Sequence, residues 1–292
     1  MSLSAAERLL VDKYILLALE EDACDPTGKI LVGDHSTLSS IPAEKSGSAK
    51  LLVKADGVLA GVELAEIICG LVDKDIRFEQ KMNDGDSMKK GDIAFLLHGR
   101  DRSILTAERI ILNCMQRMSG IATTTKQYVD LIAGTKAKVL DTRKTTPNFR
   151  VFEKWAVRIG GGHNHRFGLY DMIMLKDNHI DFCGGIKKAI LAVKSYQEEN
   201  GLQLPVEVET RSLLDIHEVI DTGFATRIMF DNFSVENTYK AVELVNGKFE
   251  TESSGGINLS TIKGYAETGV DFISVGALTH SSISLDLSLK AI

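Results

Sequence analysis

Four short segments near the C-terminus decide the fold: VEVE at 206–209, IMFD at 228–231, FETESSGG at 249–256 and FISVG at 272–276. Each is typical of a strand that ends in a polar residue or a glycine. The intervals between them have helical patterns, for which Ser234 and Ser260 are the predicted N-caps and Gly269 the predicted terminating residue. Strands that alternate with helices in this way predict a parallel sheet.

Two further segments of the same kind lie upstream, VLD at 139–141 and IMLK at 173–176, and a helical pattern at 186–200 ends before Gly201. Six such units without a dinucleotide-binding glycine fingerprint favour an α/β barrel over an open sheet. In such barrels function gathers where the strands end at their C-terminal side. The residues at those positions are Asp141, Lys176, Glu209, Asp231, Ser254 and Gly276.

The first third of the chain has a mixed α+β pattern. An Asp-Gly pair at 56–57 predicts a hairpin within residues 48–59. A second Asp-Gly pair at 84–85 and the apolar run at 92–97 predict further antiparallel pairing.

The N-terminal helical patterns set the domain boundary. Residues 4–20, 63–71 and 103–118 have apolar residues at helical spacing. Ser119-Gly120 is expected to end or kink the third pattern before it resumes. We predict an N-terminal domain over residues 1–115 and a barrel domain over residues 116–292, with the C-terminal tail folding back onto the first domain.

Composition restricts the class of protein. The chain has 292 residues, 25% of them charged, and a net charge of −6, which argues against partnership with nucleic acid or an anionic membrane. Its four cysteines form no CxxC pair, which favours a reducing compartment and a place in the core. The N-terminus lacks a signal-peptide pattern and no stretch of 18 apolar residues occurs, so we expect a cytoplasmic, soluble protein.

Positive charge is concentrated between Val139 and Arg166, where six Lys or Arg residues accompany two acids. A solvated helix face is the ordinary explanation of such a run. However, Arg143 and Lys144 directly follow a strand end, and Arg166 follows the glycine-rich loop GGGHNH. Cations at these positions predict a site for a small polyanionic molecule.

Glycine-rich loops at the last strand ends suggest a phosphate site. Ser254, Gly255 and Gly256 precede a predicted helix, and Gly276 and Ala277 follow the next strand. Backbone N–H groups in such loops bind phosphate, and barrels often use the loops of their last strands for this purpose. The same Ser-Gly-Gly sequence elsewhere is usually just a turn.

Acidic residues end two neighbouring strands. Glu209 and Asp231 either hold Mg²⁺, directly or through water, and the ribose hydroxyls, or are buried structural carboxylates. We expect Glu207, on the same strand as Glu209, to face the other side and to be structural.

Three histidines, His163, His165 and His179, invite comparison with a metal site, but the partner carboxylates of a hydrolase signature are missing. We expect His165 to donate a hydrogen bond to an anionic substrate and the other two to be structural.

These segments, together with several others, resemble the quinolinate phosphoribosyltransferase family. The resemblance is dense over residues 100–281, where it is carried by AERIILN, MSGIAT, DTRKT, GGGHNHR, LKDNH, VEVE, DNF, SGGI and YAETGVDFISVGALTHS, and ADGVLAG supports it in the first domain. The resemblance implies an N-terminal α/β sandwich joined to an incomplete α/β barrel. It also implies phosphoribosyl transfer from phosphoribosyl pyrophosphate to quinolinate with decarboxylation, the use of Mg²⁺, and a homo-oligomer, dimer or hexamer, with shared active sites.

The resemblance implies a role for each matching residue. Arg143, His165, Arg166 and Lys176 would surround the two carboxylates of quinolinate, and Arg109 would reach the site from a neighbouring subunit. The residues that would act on the ribose, pyrophosphate and magnesium are Lys144, Glu209 and Asp231. Those that would bind the 5′-phosphate are Ser254, Gly255, Gly256, Gly276 and Ala277.

Two alternatives remain open from the sequence. A phosphoribosyltransferase for nicotinate or a related pyridine acid would leave part of the cationic cluster unpaired. A non-catalytic anion-binding barrel would bind ligand without magnesium-dependent turnover.

Overall fold

The computed structural model describes residues 3–29 and 32–292. The first two residues of the N-terminal stretch, in which we found no signal-peptide pattern, lie outside the described residues. The described chain forms two compact units. The first comprises Met1–Lys126, Thr145–Gly161 and Thr279–Ile292, and the second comprises Gln127–Lys144 and Gly162–Leu278.

The elements are numbered in chain order. The helices are α1 (Ala5–Ala23), α2 (His35–Ser40), α3 (Val62–Val72), α4 (Asp101–Leu131), α5 (Arg150–Ile159), α6 (Asp177–Cys183), α7 (Ile186–Asn200), α8 (Leu213–Thr222), α9 (Val235–Val245), α10 (Ile262–Glu267) and α11 (Ala277–His280). The strands are β1 (Ser46–Val53), β2 (Gly57–Val58), β3 (Arg77–Gln80), β4 (Ser87–Met88), β5 (Ile93–Arg100), β6 (Lys138–Leu140), β7 (Ile173–Leu175), β8 (Val206–Thr210), β9 (Arg227–Asp231), β10 (Glu250–Ser254), β11 (Phe272–Ser274) and β12 (Leu287–Ala291).

The first unit is built on an antiparallel sheet with strand order β12-β1-β5-β3. Alternate residues of its central strands, such as Leu51, Val53, Phe95 and Leu97, are buried. This alternation is typical of a sheet with one face in a core. The antiparallel pairing predicted for the run at 92–97 is confirmed, since β5 pairs with both β1 and β3.

The hairpin predicted within residues 48–59 is wrong. β1 pairs with β5 and β12, whereas β2 pairs with β4. The Asp56 carboxylate accepts the backbone N–H of Lys90 at 2.8 Å instead of closing a local turn. The apolar strand β1 therefore pairs on both edges with distant strands, which buries more of its surface than a two-stranded hairpin does.

The second unit is built on a parallel sheet with strand order β6-β11-β10-β9-β8-β7. All six strands coincide with the predicted segments, and helices connect them, so the predicted α/β class is confirmed. Within the described residues, β6 and β7 are the two edges and do not pair with each other. The barrel is therefore incomplete.

One of the two predicted helix N-caps is correct and the other is wrong. Ser234 caps α9 as predicted, because its hydroxyl accepts the N–H of Asn237 at 3.2 Å. The predicted cap at Ser260 is wrong: α10 begins at Ile262, and Ser260 instead donates to the Asn258 side chain at 2.6 Å. The Ser260 hydroxyl is therefore bonded to Asn258 and does not cap the helix.

The prediction for Ser119-Gly120 is also corrected, because α4 continues through both residues to Leu131. The Ser119 hydroxyl accepts the N–H of Ala60 at 3.0 Å, and a Cβ on Gly120 would lie 2.1 Å from the carbonyl oxygen of Ile283. The small residues allow close packing against distant segments of the first unit rather than ending the helix.

The longest described helix, α4, has 31 residues, and no helix in the described ranges combines the length and apolar character of a membrane span. All four cysteines are free. Cys69 and Cys114 are in the core, where burial raises the pKa of each thiol to about 12. The prediction of a core location is wrong for Cys24 and Cys183, which are exposed.

Candidate active site

The parallel register brings the predicted strand-end residues together in the second unit. Asp231 pairs with Ser254 across β9 and β10. Leu175 pairs with Val208, so Lys176 and Glu209 occupy the next position along β7 and β8. Because the C-terminal ends of parallel strands meet at the same edge, these residues line one rim of the sheet.

Lys176, Glu209 and Asp231 form the rim cluster. Burial, followed by the charge of Asp231, raises the pKa of Glu209, while the Lys176 ammonium acts in the opposite direction. The backbone N–H of Asp177, in the first turn of α6, also donates to the Glu209 carboxylate. Two carboxylates that repel each other beside one lysine can accommodate a cation or the hydroxyl groups of a sugar.

Glu207 lies on the same side of β8 as Glu209, so its predicted orientation is wrong. Successive side chains of a strand point to opposite faces, and residues two apart therefore share a face. The Glu207 side chain is fully buried and Glu209 is 9% exposed. β8 thus presents one carboxylate at the rim and another one step deeper.

The deeper carboxylate belongs to the inner cluster, which consists of His165, Glu207, Arg227 and Glu252. His165 Nε2 lies 2.8 Å from Glu207 Oε2 and 3.5 Å from Glu252 Oε2. Arg227 Nη1 lies 2.9 Å from Glu252 Oε2, and Arg227 also contacts the half-exposed Glu250 at 3.0 Å.

Burial dominates the electrostatics of the inner cluster. It raises the pKa of Glu252 to about 8, with the charge of Glu207 as the next cause, and it raises the pKa of Glu207 as well. The Glu207 and Glu252 carboxyl groups are hydrogen-bonded to each other, which requires a proton between them. One proton on the pair, together with the Arg227 charge, leaves the cluster neutral near pH 7.

His165, Glu207 and Glu252 have ligand atoms within 4.8 Å of one another, which is close enough for a metal ion. However, His165 Nδ1 accepts the backbone N–H of Arg166 at 2.7 Å. That nitrogen must therefore carry the lone pair, and the ring proton of the neutral imidazole is on Nε2. Since a ligating nitrogen needs a lone pair, this tautomer argues against a metal at Nε2.

The glycine-rich segment before Arg166 is fixed by Asp141, which is fully buried at the end of β6. Asp141 Oδ1 accepts the His165 N–H at 2.8 Å, and Oδ2 accepts the Asn164 side-chain amide at 2.5 Å. The backbone of the segment also pairs with β6, because His163 donates to Val139 at 2.8 Å and Asp141 donates to His163 at 3.1 Å.

Arg143 lies close enough to Arg166 for their charges to interact. Burial, followed by the charge of Arg143, lowers the pKa of Arg166, while Glu207 and Asp171 oppose this shift. Arg166 Nη1 donates to the carbonyl of Met172 at 3.1 Å, close to the start of β7. Arg143 is exposed and Arg166 is half-buried, so both guanidinium groups are accessible to a ligand. Two neighbouring guanidinium groups are suited to bind two carboxylates or a phosphate.

The predicted phosphate loop has the backbone that its glycines allow. Gly255 has φ +94° and Gly256 has φ +63°. A Cβ on Gly255 would lie 2.2 Å from Oδ1 of Asn232, which follows Asp231. The loop after β10 is therefore packed tightly against the end of β9, and a larger residue at position 255 would separate the two.

The remaining predicted residues vary in their surroundings. Lys144 is exposed after β6, and its N–H donates to the Thr142 hydroxyl at 3.0 Å. Arg109 is exposed on α4 in the first unit, and its contribution to a neighbouring subunit stays a prediction. His179 is structural, since its ring accepts the N–H of Lys176 at 3.1 Å and caps α6.

His165 is 8% exposed, and both its ring nitrogens face protein groups in this structure. The prediction that it donates to a substrate therefore stays a prediction.

Sequence reasoning missed the contributions of Asp141, Glu207, Arg227 and Glu252. Correct use of strand alternation would have found Glu207, because it lies two residues before Glu209. The same rule applied to β10 would have placed Glu252 two residues before Ser254. No sequence pattern indicated that Asp141 binds the segment that precedes Arg166.

The fold and this site define a class: an incomplete α/β barrel with a cluster of cations, a carboxylate rim and a glycine-rich loop, suited to a phosphorylated, polyanionic substrate. Residues 121–290 match the model of the quinolinate phosphoribosyl transferase C-terminal domain, and residues 34–119 match that of the N-terminal domain. The chain belongs to the quinolinate phosphoribosyltransferase family.

Individual relatives agree with this membership. The chain is 47% identical over 290 residues to quinolinate phosphoribosyltransferase [decarboxylating] 1b of Nicotiana tabacum, covering 94% of this chain and 81% of the relative. It is 42% identical over 253 residues to a probable nicotinate-nucleotide pyrophosphorylase [carboxylating] of Bacillus subtilis, covering 87% and 86%. The crystal structure of NadC from Streptococcus pyogenes matches with a TM-score of 0.89 at 39% identity, covering 100% of this chain and 99% of that chain.

Proposed function

We propose that this protein transfers the phosphoribosyl group of phosphoribosyl pyrophosphate to quinolinate, with release of pyrophosphate and carbon dioxide. The product is nicotinate mononucleotide, which makes the reaction a step of de novo NAD biosynthesis. One observation carries the proposal: the paired guanidinium groups of Arg143 and Arg166 belong to the same unit as the carboxylate rim of Glu209 and Asp231. The names of the relatives support it.

The cations give the pocket its preference for a dicarboxylic acid. Arg143, Arg166 and Lys176 supply three positive charges, and quinolinate brings two carboxylates. Charge-assisted hydrogen bonds from arginine fix both the position and the plane of the ring. The ring nitrogen is then held toward the anomeric carbon of the donor, which removes much of the entropic cost of the reaction.

Glycosyl transfer at this site needs no general base, because the ring nitrogen of quinolinate is itself the nucleophile. As the bond from the anomeric carbon to pyrophosphate breaks, positive charge grows on the ribose and negative charge on the leaving group. Glu209 and Asp231 would stabilise the ribose, and Lys144 would stabilise the pyrophosphate. The loops of Ser254, Gly255, Gly256, Gly276 and Ala277 would bind the 5′-phosphate.

The rim cluster fits the Mg²⁺ ion that the family resemblance implies. Glu209 and Asp231 offer carboxylate oxygens. Burial and, after it, the charge of Asp231 raise the pKa of Glu209, and a bound cation would offset both effects. When bound, Mg²⁺ would neutralise charge on the pyrophosphate.

Decarboxylation depends on the new bond between the ring nitrogen and the ribose. Once its nitrogen is quaternised, the pyridinium ring accepts electron density from the adjacent carbon as carbon dioxide leaves. That carbon then takes up a proton. Arg143 and Arg166 hold the ring in place during this second step.

We also propose that the protein acts as a homo-oligomer in the cytoplasm, with Arg109 of one subunit completing the site of another. The exposure of Arg109 on α4 is compatible with a role outside its own chain. Mixing an Arg109→Ala chain with a Lys176→Ala chain tests this arrangement. Recovery of activity on subunit exchange is expected, and a mixture that exchanges subunits but stays inactive would contradict it.

The decisive assay supplies quinolinate, phosphoribosyl pyrophosphate and Mg²⁺, and follows carbon dioxide and nicotinate mononucleotide. We expect both products in equal amounts and a strong preference for quinolinate over nicotinate, because nicotinate has one carboxylate and lacks the group that the remaining cations would bind. Turnover of nicotinate without carbon dioxide would instead support the pyridine-acid alternative. Binding of quinolinate without any turnover would support a non-catalytic anion-binding barrel.

A further inference from the structure

Asp141 occupies an unusual place in the second unit, because it touches both segments that carry the paired arginines. It lies two residues before Arg143 in the same segment after β6. Its carboxylate also accepts the N–H of His165, the residue that precedes Arg166. Asp141 is fully buried, so these contacts are shielded from water.

The contacts of Asp141 determine the conformation of the segment between residues 163 and 166. One carboxylate oxygen accepts a backbone N–H at 2.8 Å and the other accepts the Asn164 amide at 2.5 Å. Hydrogen bonds to a charged, buried acceptor are stronger than neutral ones and tolerate little angular variation. The bidentate arrangement therefore fixes both the backbone and one side chain just before Arg166.

The His165 ring continues this support toward Arg166. Its Nδ1 accepts the Arg166 N–H at 2.7 Å, and its Nε2 lies 2.8 Å from buried Glu207. Two consecutive backbone N–H groups are thus bonded to buried side chains: that of His165 to Asp141 and that of Arg166 to the His165 ring. The Arg166 side chain starts from a fixed backbone position beside Arg143.

We infer that Asp141 is a positioning residue that sets the spacing of the Arg143 and Arg166 guanidinium groups and so selects a ligand with two carboxylates. This inference rests on the proposed function for the identity of the ligand. A displacement of about 1 Å in a positioned group lowers rates up to about 100-fold. Loss of Asp141 should therefore weaken quinolinate recognition more than recognition of phosphoribosyl pyrophosphate.

Two variants separate this role from a general structural one. In Asp141→Asn the new amide can still accept the His165 N–H, but its nitrogen faces the Asn164 nitrogen, donor against donor. The double variant Asp141→Asn with Asn164→Asp restores a donor opposite an acceptor and keeps the total charge. Only a direct contact between these side chains predicts that the second substitution repairs the first.

Asp271 offers a matched control. Its Oδ2 accepts the N–H of Thr251 at 2.9 Å and the Thr251 hydroxyl at 2.7 Å, but it lies before β11, at the opposite end of the strands. Its other oxygen, Oδ1, accepts from Lys136 Nζ at 2.8 Å. Asp271→Asn thus disturbs another carboxylate that binds through both oxygens, at the end of the strands opposite to Arg143 and Arg166. It should change the midpoint of unfolding without changing the KM of either substrate.

The experiment measures kcat and both KM values, together with quinolinate binding by calorimetry, for the parent and the three variants. For Asp141→Asn we expect the KM and Kd of quinolinate to rise about 10- to 100-fold while the KM of phosphoribosyl pyrophosphate changes less than about twofold. The double variant should recover most of this loss. Parent-like quinolinate binding in Asp141→Asn, or a double variant as impaired as the single one, overturns the inference.

Failure of the proposed function gives a different result. In that case the parent shows no turnover of quinolinate in the first place. Anion binding by calorimetry, with quinolinate and with inorganic phosphate as probes, still compares the variants. An equal loss for both probes would mean that Asp141 does not select for two carboxylates and would also overturn the inference.

Discussion

The rim cluster and the inner cluster use the same residue types at neighbouring positions of the same strands, yet they differ in what they can do. Glu209 at the rim faces Lys176 and Asp231 and keeps some access to solvent. Glu207, two residues earlier, faces His165, Glu252 and Arg227 and has none. Depth along the strand, rather than residue type, separates a carboxylate that can exchange ligands from one that holds the structure.

The difference has an electrostatic reason. A carboxylate at the rim can be neutralised by an incoming cation or substrate, whereas a fully buried one must be neutralised by the protein itself. The inner cluster does this with Arg227 and a bound proton. Substitutions in the two clusters should therefore affect different quantities, stability for the inner cluster and activity for the rim and its cations.

The largest effect should come from Arg227→Ala. It removes the guanidinium that lies 2.9 Å from fully buried Glu252 and leaves the remaining negative charge of the Glu207–Glu252 pair without its cation. Breaking a buried pair in this way costs about 3–5 kcal/mol. Chemical denaturation should show this loss in the free energy of unfolding. A loss below about 1 kcal/mol would mean that the inner cluster does not depend on Arg227.

Arg166→Ala should come next, with an effect on activity. Loss of one preorganised cation costs about 2–4 kcal/mol of transition-state stabilisation, or roughly 10²–10³ in rate. Steady-state kinetics with quinolinate should show it, with the midpoint of unfolding almost unchanged. Arg211→Ala is the matched control, because Arg211 also follows a strand end but forms an exposed pair with Asp181 at 2.7 Å. Kinetics of Arg166→Ala equal to those of the control would place the pocket elsewhere.

A smaller effect concerns the pH dependence of stability. The pKa of Glu252 is about 8 in the folded protein, above the ordinary value of 4.5, so the folded state binds a proton that the unfolded state has released. Its stabilising contribution is fully present below pH 4.5 and is lost as the pH rises toward 8. The slope cannot exceed about 1.4 kcal/mol per pH unit for one group.

Glu252→Gln tests this pH dependence. Between pH 5 and pH 8 the free energy of unfolding should change less with pH in the variant than in the parent, because glutamine does not titrate. This pH range lies below the pKa of about 8 that Glu252 has in the folded protein. If the two curves have the same slope, Glu252 is not the group that binds the proton.

The smallest effect should come from Glu250→Gln. Glu250 contacts Arg227 at 3.0 Å, but its side chain is 47% exposed. Exposed ion pairs contribute about 0–1 kcal/mol, so the free energy of unfolding should fall by less than about 1 kcal/mol. A loss as large as that of Arg227→Ala would remove the distinction between buried and exposed partners of the same arginine.

Much of the second unit could be predicted from the sequence because its strands are short apolar segments bounded by polar residues. All six strands, the helix ending before Gly201 and the cap at Ser234 were found in this way. In the first unit, the hairpin at Asp56-Gly57 failed because strand pairing there is non-local. Local turn chemistry does not report on partners that are far away in the chain.

By itself the sequence determined the order of strands and helices and the strand-end positions of Lys176, Glu209 and Asp231, because both follow from local periodicity and from the geometry common to parallel sheets. Only the tertiary structure decided how these side chains are partnered. The bonds from Asp141 to the segment before Arg166, and the buried pairing of Glu207, Glu252 and Arg227, join residues that are 20 or more positions apart. Such contacts depend on how the strands pack together, and local sequence patterns carry no information about them.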